Sequence, residues 1–402
     1  MAEPGERNDT RMKTADIVIV GGGVMGVSIA HSLAARQAGR VVLLEKRYLG
    51  AGSSGKSGAI CRQHYSNALT ALMARKSLEV YREFSDRVGG PAVFTHTGMM
   101  LVVKGQDRRS LETNVALQQS LGIDVKLIST SDVRELDPEA KLDGGEIAAF
   151  ESEAGYVEAV QVVASYAVAA EQLGAEIECD APLTALHSEG GRIRGVTAGG
   201  ERWECGTVIV AAGPWASWLL TPLGLRLPIQ ACRTQVGLFR RPTTVKKGGP
   251  VYGDFSQGIY FKPTHGDMMH AGSIGGEEIN DPVDPDNYTE VADATWLPGI
   301  RQRLARRIPA MSRGYGRGGY GALYAITPDW HPVIDRCPGV EGLYVAAGFS
   351  GHGFKMAPVV GSLVSELVLD GVCRTLDIKA LRFNRFDEKD LVTTPYGYGV
   401  MG

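Results

Sequence analysis

Cysteine is sparse in this chain: six residues in 402, Cys61, Cys179, Cys205, Cys232, Cys337 and Cys373, with no CxxC pair among them. That spacing excludes a disulfide framework, offers neither a zinc site nor a thioredoxin-like centre, and fits a reducing cytosol. Long apolar runs are also missing. No window approaches the roughly 18 to 20 apolar residues of a spanning helix, so no membrane span is expected. Residues 1–14 lack the apolar core of a secretory signal and read as a disordered tail. Nor is there a charge excess: the formal net charge is -3 and Lys and Arg are dispersed, so no nucleic-acid partner is expected. The densest basic cluster, Arg301, Arg303, Arg306 and Arg307, is predicted to form the solvated face of an amphipathic helix. There is no internal repeat and no low-complexity tract.

What is present is enough chain for two associated domains. Residues 16–20, DIVIV, form a nearly continuous apolar run of the kind a buried parallel strand requires. A glycine turn follows, then residues 24–37 with apolar positions at helical spacing, then a second buried strand, VVLLE, at 41–45. In this strand–helix–strand setting Gly21, Gly23 and Gly26 make a GxGxxG turn. The first glycine allows the tight turn, the second close approach to a pyrophosphate, and the third helix-to-strand packing. Val24 and Met25 open the helix, whose N-terminus carries about half a positive charge. Glu45 ends the second strand where a carboxylate can take ribose hydroxyls, with Lys46 beside it. The next loop, residues 50–58, is rich in small residues. Ser53, Ser54 and backbone N–H groups there suit the phosphates of a cofactor running deep into the protein, which favours FAD over NAD. Lys56, Ser57, Gly58 and Ala59 extend that loop.

The βαβ pattern lapses after a long helix predicted at 67–88. It resumes with a helix at 157–173 and the buried strand TVIVAA at 207–212, lapses again between about 225 and 318, and closes with a strand at 343–347 and a helix at 354–369. The fold class is therefore α/β, α+β overall: a Rossmann-type FAD-binding domain with a discontinuous, β-sheet-rich second domain. The expected division is 15–90, 151–225 and 319–372 for the first, 91–150 and 226–318 for the second, with 373–402 an irregular C-terminal extension ending in Tyr396, Gly397, Tyr398 and Gly399.

The GGGVMG turn, Glu45, Ser53-Ser54, the segment Ala211-Ala212-Gly213-Pro214-Trp215 and the block from Thr327-Pro328-Asp329 to Gly348-Phe349-Ser350-Gly351-His352-Gly353-Phe354-Lys355 together resemble the D-amino-acid oxidase superfamily. The likeness is to its sarcosine oxidase, dimethylglycine dehydrogenase and glycine oxidase branch, across residues 15–372. The resemblance implies a flavin at the interface of the two domains, contacted by Leu183, Ala212, Gly213, Trp215, Gly348, Gly351, His352, Gly353, Phe354 and Lys355. It implies that the helix near Phe354 aims its positive end at the flavin pyrimidine, and that Arg62 and Lys355 hold a substrate carboxylate. His64, Tyr65, Tyr260 and His352 are neighbouring candidates for shaping the pocket or assisting proton transfer.

Two departures from the family pattern matter. Ala322 stands where monomeric sarcosine oxidases attach FAD through cysteine, and Lys56 where dimethylglycine dehydrogenases use histidine, so noncovalent FAD is expected. Tyr260 stands where sarcosine-type oxidases place a lysine over the flavin, with Lys262 two residues on and on the same strand face. The expected reaction is hydride transfer from the carbon alpha to nitrogen in a small amino acid or N-alkyl amino acid to flavin N5, followed by imine hydrolysis, with O2 or another acceptor reoxidising the flavin. Open alternatives are a catalytic subunit of a heteromeric amino-acid or opine dehydrogenase and a non-catalytic flavoprotein partner. A flavin monooxygenase is disfavoured by the C-terminal block.

Overall fold

A computed structural model describes residues 12–244, 248–275 and 280–393. Its first sheet has six strands, in the order Glu176–Glu178, Val41–Leu44, Ile17–Val20, Thr207–Val210, Leu343–Ala347 and Val333–Arg336, parallel except for the last pair. The short runs IVIV and VVLL are buried throughout, as strands covered on both faces must be. Alternation divides them between two cores. Ile17, Ile19, Val41 and Leu43 pack with Val27, Leu33, Val360 and Leu363 under the helices Val24–Ala35, Ala159–Gln172 and Ala357–Leu369. Val18, Val20, Val42 and Leu44 pack with Val196 and Trp203 under a small four-stranded sheet.

The second domain is built on a mixed sheet of nine strands among the described residues, running from Asp281–Pro282 to Val125–Ile128, with Tyr315–Ile326 paired to Gln230–Arg240. The helix Leu297–Arg307 covers one face through Ile300 and Leu304.

Several expectations change. Lys13 and Thr14, assigned to a tail, pair in parallel with Trp203 and Glu204; the rest of that tail, 1–11, lies outside the described residues. The long helix of 67–88 is Ala68–Arg82 followed by a separate turn, Phe84–Arg87. Glu151 ends a strand of the second sheet, and that sheet keeps the chain as far as Ile326, beyond the expected return at 319. Arg307 does not belong to a solvated face: its guanidinium is buried against Glu146 (2.8 Å) and Asp254 (2.7 Å). The extension is ordered around Arg385, fully buried on Asp329, whereas residues 396–399 lie outside the described part.

Candidate functional site

A cavity of about 630 Å³ opens between the two sheets, at the C-terminal ends of the parallel strands, where α/β folds place their ligands. Its wall begins at the glycine turn. Gly21 has φ +113°, and a Cβ there would lie 2.7 Å from the Ala211 carbonyl oxygen. Gly26 stands off the wall: a Cβ on it would lie 1.8 Å from the Gly21 carbonyl oxygen, so its part is packing the helix against the turn. Glu45 Oε2 accepts from the Gly22 N–H at 2.6 Å and Oε1 from the Arg47 N–H at 2.9 Å.

Ser54 Oγ accepts from the Val24 N–H at 2.9 Å, and Ser53 Oγ is buried without a protein partner. A helix N-terminus with no acidic first turn, a glycine cradle too tight for side chains and an unpartnered hydroxyl fit a dinucleotide pyrophosphate. Met25, Ser57, Gly58, Ala59, Leu183, Ala212, Gly213, Trp215 and Gly348 continue this wall. Lys46 and Lys56 also border it, but their ammonium groups are engaged by the second domain. Lys46 Nζ is 2.6 Å from Asp286 and sits over the Trp215 ring, and Lys56 Nζ meets Glu290 and Tyr288 Oη, each at 2.8 Å.

Farther in, the wall carries two buried basic side chains. Arg62 follows the strand Ile60–Cys61; its guanidinium lies 4.3 Å from the Tyr65 ring centre and donates to the His64 carbonyl. Lys355 lies in the 3-10 turn Phe354–Met356, ahead of the helix proper, which starts at Ala357 and not at Phe354. Its Nζ is 6.0 Å from the same ring and 3.4 Å from the His352 carbonyl oxygen. Burial, reinforced by the Arg62 charge, pulls the Lys355 pKa well below that of an ordinary lysine. Gly351, His352, Gly353 and Phe354 complete this corner. Burial and the Lys355 charge hold the His352 imidazole well below its usual pKa, so the ring is neutral.

His64 does not reach the cavity. It is buried behind the wall with its pKa driven down to about 3 by burial and Arg62, and its backbone N–H donates to Glu151 at 3.0 Å. Glu151 also accepts from the Gln63 N–H at 2.7 Å, yet burial pushes its carboxyl up to about 7.

Tyr260 lines the cavity, its ring filling the space beside Gly272, where a Cβ would lie 2.7 Å from the phenol oxygen. Lys262 shares that strand face but is not on the wall. Its Nζ is 3.9 Å from the Tyr156 ring centre and 4.0 Å from Glu158, and burial lowers its pKa to about 8. The sequence reading missed Met99, Phe255, Tyr288 and Tyr324 as wall residues. Tyr324 was within reach of strand alternation, being two residues beyond Ala322. The others come from distant strands and loops and carry no local signal.

The arrangement can cradle a dinucleotide along the glycine turn and present two buried basic side chains, Arg62 and Lys355, to an anionic group at its inner end. Residues 16–367 match the family described as DAO, FAD dependent oxidoreductase. The chain is 29% identical over 406 residues to monomeric sarcosine oxidase of Streptomyces avermitilis, covering 95% of this chain and 99% of that protein. It is 26% identical over 391 residues to peroxisomal sarcosine oxidase of Homo sapiens, covering 92% and 96%. Among solved structures, L-proline dehydrogenase from P. horikoshii matches with a TM-score of 0.87 at 26% identity, covering 94% of this chain and 100% of that one.

Proposed function

This chain belongs to the DAO family of FAD-dependent oxidoreductases, and from that premise we propose that it oxidises the carbon–nitrogen bond of a small amino acid or N-alkyl amino acid of the sarcosine, dimethylglycine, glycine or proline type. The observation that carries this reading is the pair Arg62 and Lys355, two buried basic side chains on one wall of the cavity that contains the glycine turn. FAD, when bound, supplies the hydride-accepting chemistry. Arg62 holds the substrate carboxylate with its planar fork and Lys355 adds a hydrogen-bond donor, so the carbon bearing the amine is oriented before reaction. Tyr260, Tyr324 and Phe255 exclude water from the reacting end, and the imine product leaves to hydrolyse.

Lys262, turned toward Tyr156 and Glu158, together with tyrosine at position 260, favours an acceptor other than O2, which leaves room for a partner subunit or a quinone. The free cysteines favour a reducing compartment such as the cytosol. No helix among the described residues is long and apolar enough to cross a membrane.

The test is anaerobic addition of sarcosine, dimethylglycine, glycine, proline and D-amino acids to the holoprotein while the visible flavin band is followed. Bleaching by one of them identifies the substrate, and readmitting air reports the acceptor. FAD that no amine bleaches would overturn the reading for the isolated chain.

A further inference from the structure

The C-terminal segment reaches the cavity through an unbroken series of contacts. The Arg385 and Asp329 side chains are both buried and meet side-on, with Nε 2.8 Å from Oδ2 and Nη2 3.0 Å from Oδ1. Such a two-point match fixes the carboxylate plane as well as its position. Arg385 Nη2 donates also to the His331 carbonyl oxygen at 2.7 Å, while Asp329 Oδ1 accepts from the His331 N–H at 3.1 Å and Oδ2 from the Val392 N–H at 3.2 Å. Against its burial, the Arg385 hydrogen bonds and charge keep the Asp329 carboxyl below its usual range.

Between the two clamped residues sits Trp330, at φ +61°. A tryptophan persists in that left-handed region only where its neighbours over-determine the backbone. Its carbonyl oxygen lies 2.7 Å from His352 Nε2. A carbonyl can only accept, so the proton of the neutral imidazole resides on Nε2, and Nδ1 is left as a buried acceptor with no protein partner. His331 is held by the same turn: its Nδ1 faces the Asp329 carbonyl at 2.6 Å and its Nε2 faces Asn67 at 2.9 Å.

We propose that Arg385 is a positioning residue for the cavity: through Asp329 it holds the Trp330 carbonyl where it sets the tautomer and orientation of the His352 ring, which lines the wall next to Lys355. Reading its effect as a rate of amine oxidation rests on the amine-oxidising reading. The link from Arg385 to His352 itself does not depend on which substrate is used. A segment outside the two-sheet framework thereby helps set the chemistry at the flavin.

The test is a double-mutant cycle on the holoprotein with Arg385→Lys, which keeps the charge but loses the fork, His352→Ala and the pair together. Arg385→Met with Asp329→Leu, which removes both charges, serves where the lysine variant does not fold. Two readouts are taken: the rate of anaerobic flavin reduction by the active amine, and the position and shape of the visible flavin band, which needs no substrate. Arg385→Lys is expected to slow reduction by about a hundred-fold, the cost of roughly 1 Å of misplacement at a reacting centre. In the His352→Ala background it should add no further slowing and no further change of the band. Effects that multiply in the rate, or add in the band, would overturn the proposal. A coupled band change with no amine active would uphold the link while refuting the amine reading.

Discussion

Glu45 closes onto the glycine turn, its Oε2 accepting from the Gly22 N–H at 2.6 Å. The acidic residue that ends one strand and the turn that ends its neighbour are thus one structural unit, and the carboxylate keeps lone pairs for a ribose. Glu45→Ala is expected to weaken FAD binding about 10- to 100-fold, since a hydrogen bond to a charged group contributes roughly 1.5 to 3 kcal/mol. Fluorescence titration of the apoprotein measures this, and an unchanged Kd would confine Glu45 to bracing the turn.

Gly26 and Gly299 make an internal contrast. A Cβ on Gly26 would meet the Gly21 carbonyl oxygen at 1.8 Å, whereas one on Gly299, in the helix Leu297–Arg307, would meet nothing within 4 Å. Gly26→Ala should cost about 3 kcal/mol by forcing the helix off the sheet. Gly299→Ala should raise stability by about 0.4 to 1 kcal/mol through the unfolded state. Chemical denaturation of the two variants checks both signs.

Arg62→Lys retains the positive charge and loses the fork. For a carboxylate-bearing amine, kcat/KM is expected to fall about a hundred-fold, while an amine of the same shape without a carboxylate should react no worse than before. Equal losses on both substrates would remove the carboxylate from the role assigned to Arg62.

Glu151 makes stability depend on pH. Burial outweighs its backbone hydrogen bonds and the nearby Arg62 charge, lifting its pKa from the ordinary 4.5 to about 7 in the folded protein. The fold therefore favours the protonated acid: the contribution is complete below about pH 4.5 and is lost as pH rises through about 7. Its size is about 3 kcal/mol. Relative to Glu151→Gln, the wild type should lose roughly that much stability between pH 5 and pH 8, and a gap independent of pH would show that Glu151 is ionised throughout.

Acid precipitation of the holoprotein should leave FAD in the supernatant. No cysteine is among the described residues of the cavity wall, and Ala322 stands where the family resemblance puts a cysteine tether. Yellow colour remaining in the pellet would reveal a covalent attachment.

Much of the site was legible because its residues stand close together in the chain. The turn from Gly21 to Gly26, Glu45, the serine loop and the block from Gly348 to Lys355 each act through local backbone geometry, which residue type and spacing express directly. Arg307 was misread for the opposite reason. On a helix its neighbours are other arginines, and only the folded chain brings Glu146 and Asp254 to it from 161 and 53 residues away. His64 was misread because closeness in sequence to Arg62 does not decide which side of the wall a ring occupies.

By itself, then, the order of residues determined the parallel strands, the helix they feed and the glycine turn between them, because periodicity and steric freedom belong to contiguous residues. Only the tertiary structure decided that Lys46 and Lys56 are engaged by Asp286 and Glu290, that Lys262 turns to Tyr156, and that Arg385 reaches Asp329. Long charged side chains can take partners from any part of the chain, and burial selects among them by requiring that a desolvated charge be matched.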